Sequence, residues 1–133
     1  MVVMFEPRIN GQKVDNFIQG CGFERSHRIE LVGFSGGIWI LWREFITVEI
    51  FLNHKQFVHF KIISSNNLES WVTAVYASPI LKVRRELWYH LANITFQIID
   101  SWLVGGDSNA TLYAHEKKMG FNRTSGICNL FNH

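Results

Sequence analysis

The chain has 133 residues, a length that one domain fills, and the whole of 1–133 reads as a single unit. Apolar residues make up 47% and aromatics 14%, which excludes a disordered or low-complexity chain and supplies material for a core. The net charge of +2 permits contact with a polyanion without arguing for one, because nucleic-acid binders are normally marked by a strong basic stripe.

Met1 to Phe5 reads as a buried strand that starts abruptly. Residues 11–21 suit a helix, with Val14, Phe17, Ile18 and Cys21 on one apolar face and Gly20 and Gly22 as its stop. His27 to Val32 reads as a short strand, followed by turns at Gly33 and Ser35-Gly36-Gly37. The continuous apolar run Ile38-Trp39-Ile40-Leu41-Trp42 suits a strand covered on both faces. Two further strands are expected at 45–52 and 56–63, joined by Asn53-His54-Lys55. In the second, Val58, Phe60 and Ile62 share one face, and Phe57, His59 and Lys61 the other. Trp71 to Tyr76 is another strand. Ser78-Pro79 then opens a helix, with Ser as N-cap and Pro at the first helical position. Val83, Leu87, Leu91, Trp88 and Ile94 form its buried stripe. Lys82, Arg84 and Arg85 lie at the end that the helix dipole disfavours for cations; they serve something outside the helix or form a solvated basic face. Ser101 to Val104 gives the last strand, and residues 125–132 resemble the first turns of a helix. Strands with hairpin-type turns, interrupted by two helices, point to an α/β sandwich with mixed sheets.

The most telling stretch is Trp102-Leu103-Val104-Gly105-Gly106-Asp107-Ser108-Asn109-Ala110. A buried strand ending at Val104 would hand over to glycines that allow a tight turn and close approach to a ligand. Asp107 and Asn109 would then stand at the C-terminal end of a strand, where open α/β sheets carry binding sites. A carboxylate that orients a water, beside an amide that donates to a phosphoryl oxygen, outlines a phosphodiester-cleaving pair. The plainer alternative is an Asx-rich turn that only closes a loop.

Other signals are weak. The opening Met1-Val2-Val3-Met4-Phe5 is broken by Glu6 and too short for a signal peptide. No run reaches the roughly 18 apolar residues of a membrane span. Cys21 and Cys128 have no zinc or redox spacing and read as reduced thiols of an intracellular protein, nuclear or cytoplasmic rather than secreted. The sequons at Asn93, Asn109 and Asn122 then count as chance matches. His115-Glu116-Lys117-Lys118 lacks the second His of a zinc-protease helix. His54 and His59 read as surface or turn residues. No P-loop, dinucleotide fingerprint or Gly-x-Ser-x-Gly elbow is present.

Four blocks occur in order: Met4-Phe5-Glu6-Pro7-Arg8-Ile9, then 33–42, then Thr73-Ala74-Val75-Tyr76-Ala77-Ser78-Pro79, then the turn at 105–110. Together they resemble the endonuclease domain of plant non-LTR (LINE-type) retrotransposons, within the endonuclease/exonuclease/phosphatase superfamily, over nearly the whole chain. The resemblance implies a four-layer α/β/β/α sandwich of the DNase I-like type and magnesium-dependent hydrolysis of a DNA phosphodiester. By position it implies Glu6 as metal ligand, Tyr76 as a contact to the scissile phosphate, Asp107 as the group that orients or deprotonates water, and Asn109 as an amide holding the phosphate. Against the family pattern, an upstream Asn-bearing strand and a late Asp-His pair have no counterpart here. The terminal His133 has no matching context, Ser108 stands where relatives carry Phe, and Ala77 stands where Gly is frequent. The fragment is therefore expected to have little or no nuclease activity alone. It is also expected to expose an apolar sheet face and free edges that favour self-association. The alternatives are a non-catalytic interaction module that kept the fold, and an unrelated α/β protein.

Overall fold

The computed structural model describes residues 1–5, 12–29 and 37–109. Five consecutive apolar residues need cover on both sides, and the strand Ile38–Trp42 has it. Its even-numbered Ile38 and Ile40 face a core shared with Val58, Phe60, Val72 and Ala74. Its odd-numbered Trp39 and Leu41 pack with Ile18, Met4 and Phe23 on the opposite side. Around it the chain forms β1 (Val2–Phe5), α1 (Gln12–Gly20), β2 (Arg25–Ile29), β3 (Ile38–Trp42), β4 (Thr47–His54), β5 (Phe57–Ile63), β6 (Glu69–Tyr76), α2 (Leu81–Thr95) and β7 (Trp102–Asp107).

Two sheets result, and the fold is a mixed α+β one. The first has the order β1-β3-β2, and both of its pairings are antiparallel. The second has the order β4-β5-β6-β7; its first two pairings are antiparallel, while β6 and β7 run parallel. The parallel pair is possible because α2 provides the crossover between them. The sheets face one another across the core of Ile38, Ile40, Val58 and Phe60, joined by Val3, Phe5, Val48, Ile50 and Tyr76. Outside the second sheet, Leu87, Leu91 and Ile94 of α2 pack on Phe57, Val75 and Ala77. Outside the first, Ile18 of α1 packs on Trp39 and Leu41.

The alternation expected in β5 is present: Val58, Phe60 and Ile62 face the other sheet, and Phe57 faces α2. A register shift between Ile50 and Leu52 gives β4 an extra residue, Phe51, which is half exposed and packs edge-on to Trp71.

Several expectations need correction. The strand predicted over 27–32 is Arg25–Ile29 among the described residues. On α1, Ile18 is buried, but Phe17 and Cys21 are exposed, so the expected apolar stripe is not buried as a whole. Pro79 does not open α2. The helix begins at Leu81, after an N-cap at Ile80 that has no side-chain cap. Ser78 instead accepts the Ile80 amide through Oγ, closing a turn ahead of the helix. The last strand does not stop at Val104 but continues through both glycines to Asp107, and Leu103 and Val104 are exposed rather than buried. The two sheets pack on each other through Ile38, Ile40, Val58, Phe60, Val72 and Ala74. Leu103, which the register sets beside Val72, is exposed, so among the described residues part of the apolar face expected to stay open does so at β7. Further exposed apolar side chains include Val104 of β7 and Phe96 and Ile99 before it. Among the described residues no helix is long and apolar enough to cross a membrane. The turns predicted at 33–36, the helical segment at 125–132, His115, Cys128 and His133 lie outside the described residues.

Candidate functional site

The site is built where β6 and β7 end together. Parallel pairing sets Tyr76 opposite Asp107 in the register, with Val75 opposite Gly106 and Ala74 opposite Gly105. The pairing is extended by one bond, as the Ala77 amide donates to the Asp107 carbonyl at 2.8 Å. Two residues separated by 31 positions in the sequence therefore lie side by side at one end of the sheet.

Gly106 makes that approach possible. Its φ is 136°, and a Cβ there would stand 2.0 Å from the Val75 carbonyl oxygen and 2.9 Å from the Phe5 ring. No L side chain fits, whereas a Cβ on Gly105 would meet nothing within 4 Å. The second glycine thus works within the strand, letting β7 run close to β6, and not as the pivot of a turn.

Beyond the strand, the Asn109 amide donates to Asp107 Oδ1 at 2.9 Å, an Asx turn. Asn109 has φ 46°, a left-handed conformation that Asn tolerates better than most residues. Its Nδ2 donates to the Ala77 carbonyl at 2.6 Å and ties the β7 end to the loop after β6. Of the two hydrogens on that amide nitrogen, one is used inside the protein. Asp107 is exposed, and a carboxylate with one oxygen bonded to a single amide retains further acceptor capacity. The Asx-turn reading of this stretch is therefore correct as local structure, and it coexists with the grouping of Tyr76, Asp107 and Asn109.

Phe5, the last residue of β1, stacks on Tyr76 with ring centroids 6.0 Å apart and planes inclined by 24°. It stands beside Gly106 as well. The first sheet thus reaches the same end of the sandwich. Glu6, the expected metal ligand, follows Phe5 in the sequence and lies outside the described residues.

Gln56, whose position after a hairpin turn gives no hint of its role, is buried and organises the loop after β6. Its carbonyl accepts the Tyr76 amide at 2.8 Å. Its Oε1 accepts the Ser78 amide and its Nε2 donates to the Val83 carbonyl, each at 2.8 Å. Arg84 completes the support: it is buried, and its Nη1 donates to the carbonyls of Ser78 and Pro79 at 3.0 and 3.3 Å. So this cation serves the loop, while Lys82 and Arg85 remain exposed.

The histidines also differ from expectation. His59 is in the core rather than at the surface. It shares a hydrogen bond of 2.8 Å with Thr73 Oγ1, which also accepts from Trp102 Nε1, and it stacks on Trp71 at 5.0 Å. Burial lowers its pKa from the ordinary histidine value, although a backbone hydrogen bond with Val72 opposes the shift. Among the described residues, no three His, Cys, Asp or Glu side chains come together to hold a metal ion. No family model matches this chain, and no curated protein matches it.

Proposed function

We propose that the chain is a metal-dependent phosphodiester hydrolase domain, a DNA endonuclease of the endonuclease/exonuclease/phosphatase type resembling that of plant LINE-type retrotransposons. In this reading the α+β fold is the four-layer DNase I-like sandwich. The observation that supports it best is the register of Tyr76 with Asp107 at the shared end of two parallel strands, with Asn109 tied to the same loop.

The residues divide the work. Asp107 is exposed and acceptor-rich, so it orients a water and draws on its proton. Tyr76, held by Phe5 and by the Gln56 carbonyl, presents a phenolic group to a phosphoryl oxygen. The remaining hydrogen of the Asn109 amide donates to the same group as negative charge grows on it. Magnesium is bound by one or two carboxylates with waters and substrate phosphate, and it stabilises that charge when present. Glu6 and Asp107 are the carboxylates that would hold it. Such a donor set does not require a three-residue cluster.

A second reading, a non-catalytic interaction module on the same fold, draws on the use of Asp107 Oδ1 and Asn109 Nδ2 inside the loop. Thermal unfolding with and without magnesium separates the two, because a ligand that binds only the native state raises its midpoint. The hydrolase reading expects magnesium to raise the midpoint of the wild type, and that rise to vanish in Glu6→Gln and Asp107→Asn. Any nicking of supercoiled plasmid must need magnesium and be abolished by Glu6→Ala or Asp107→Ala. Nicking that survives both substitutions contradicts the assignment.

A further inference from the structure

The β4–β5 hairpin carries a titratable group joined to the candidate site by an unbroken chain of hydrogen bonds. His54, the last residue of β4, accepts the Gln56 amide on Nδ1 at 3.1 Å. Every other polar group of Gln56 is also engaged, and all three of those bonds reach the segment from Tyr76 to Val83. A buried Gln56, 3% exposed, cannot replace a lost partner with water without moving.

We propose that His54 is a proton-operated latch on the loop from Tyr76 to Ile80. A proton on Nδ1 turns the acceptor of the Gln56 amide into a donor. Two donors then face each other, Gln56 shifts, and its three bonds to the loop and to the first turn of α2 loosen.

The groups around His54 set when this happens. Its ring stacks on Phe57 at 4.9 Å and lies 4.8 Å from the ring of His90 on α2. Lys55 in the hairpin turn pairs with Glu86 of α2 at 3.4 Å. Burial lowers the His54 pKa most, positive charge on His90 and Lys55 lowers it further, and Glu86 alone raises it. The latch is closed at neutral pH and opens in acid, below the ordinary histidine value of about 6.5. His27 of β2 lies near the same hairpin and bonds Asn53 Oδ1 at 2.8 Å, so a substitution at His27 serves as the control. The effect on phosphodiester chemistry rests on the function proposed above, whereas the latch itself does not.

The test follows backbone amide resonances of the whole chain by NMR as the pH is lowered. The Tyr76 and Ser78 amides are expected to shift with the same midpoint as the His54 imidazole. His54→Asn retains an acceptor oxygen but takes up no proton, so both shifts disappear. His90→Gln raises the midpoint, Glu86→Gln lowers it, and His27→Gln leaves the response in place. The proposal is overturned if the two amides ignore His54, if their response survives in His54→Asn, or if it is lost in His27→Gln. These readouts need no DNA and no metal, so a failure of the hydrolase reading leaves them intact, and the reverse holds too.

Discussion

The two helices cover opposite outer faces of the molecule, and they do so unequally. α2 places Leu87, Leu91 and Ile94 in the core with exposures of 0%, 8% and 3%, against Phe57, Val75 and Ala77 of the second sheet. Among the described residues, α1 contributes the buried Ile18 to a smaller cluster with Trp39 and Leu41, while its Phe17 is 36% exposed. The difference bears on function because every described residue of the candidate site apart from Phe5 belongs to the α2 side. Tyr76 and Asp107 end strands that α2 connects, and Gln56 and Arg84 brace the loop from which α2 starts. The α2 layer positions the candidate site, and α1 packs on the far side of the sandwich through Ile18.

The largest expected effect comes from breaking the β6–β7 approach. Gly106→Ala combines a forbidden φ with a clash against backbone, and about 4 kcal/mol of stability should be lost. Gly105→Ala, with open space around it, should stay within about 0.5 kcal/mol in the same urea titration. Next, Leu87→Ala on α2 should cost about 3 kcal/mol, and Phe17→Ala on α1 less than about 1 kcal/mol. Comparable losses on the two helices would remove the asymmetry.

A pH effect follows. His54 and His59 both have lowered pKa values in the folded state. Well above pH ~6.5 both are neutral in either state and contribute no pH dependence. Below it, the unfolded chain takes up protons first, so stability falls as pH falls until the folded pKa values are passed. Urea midpoints are therefore lower in mild acid, and His59→Asn flattens part of that decline. Smallest is the tether across the site. Asn109→Ala removes the bond to the Ala77 carbonyl and should cost about 1 kcal/mol, with the loss of protection from hydrogen exchange confined to residues near 77 and 107.

Local patterns were legible where burial alone decides structure. The apolar run at 38–42 and the two-sided alternation at 57–63 both form the strands their sequences describe. Errors arose where a distant partner decides. Two glycines read as a turn, yet parallel pairing with β6 holds them in extended chain through Asp107. Ser78-Pro79 reads as a helix start, yet Gln56, 22 residues earlier, binds the Ser78 amide and the helix waits until Leu81. His59 reads as polar surface because its partners, Thr73 and Trp71, are on a neighbouring strand. The resemblance singled out Asp107, Asn109 and Tyr76, but their proximity depends on strand order, which no local pattern encodes.

The proposed function requires Glu6 and the ends of β6 and β7 to share one binding site for a hard divalent ion. Manganese, a paramagnetic ion with the same preference for oxygen donors, reports on it directly by broadening the NMR signals of nearby nuclei. Substoichiometric manganese should broaden the amides of Tyr76, Ala77, Asp107 and Asn109 before others, and Glu6→Gln should abolish that effect. Broadening centred elsewhere, or unchanged in Glu6→Gln, would contradict the account.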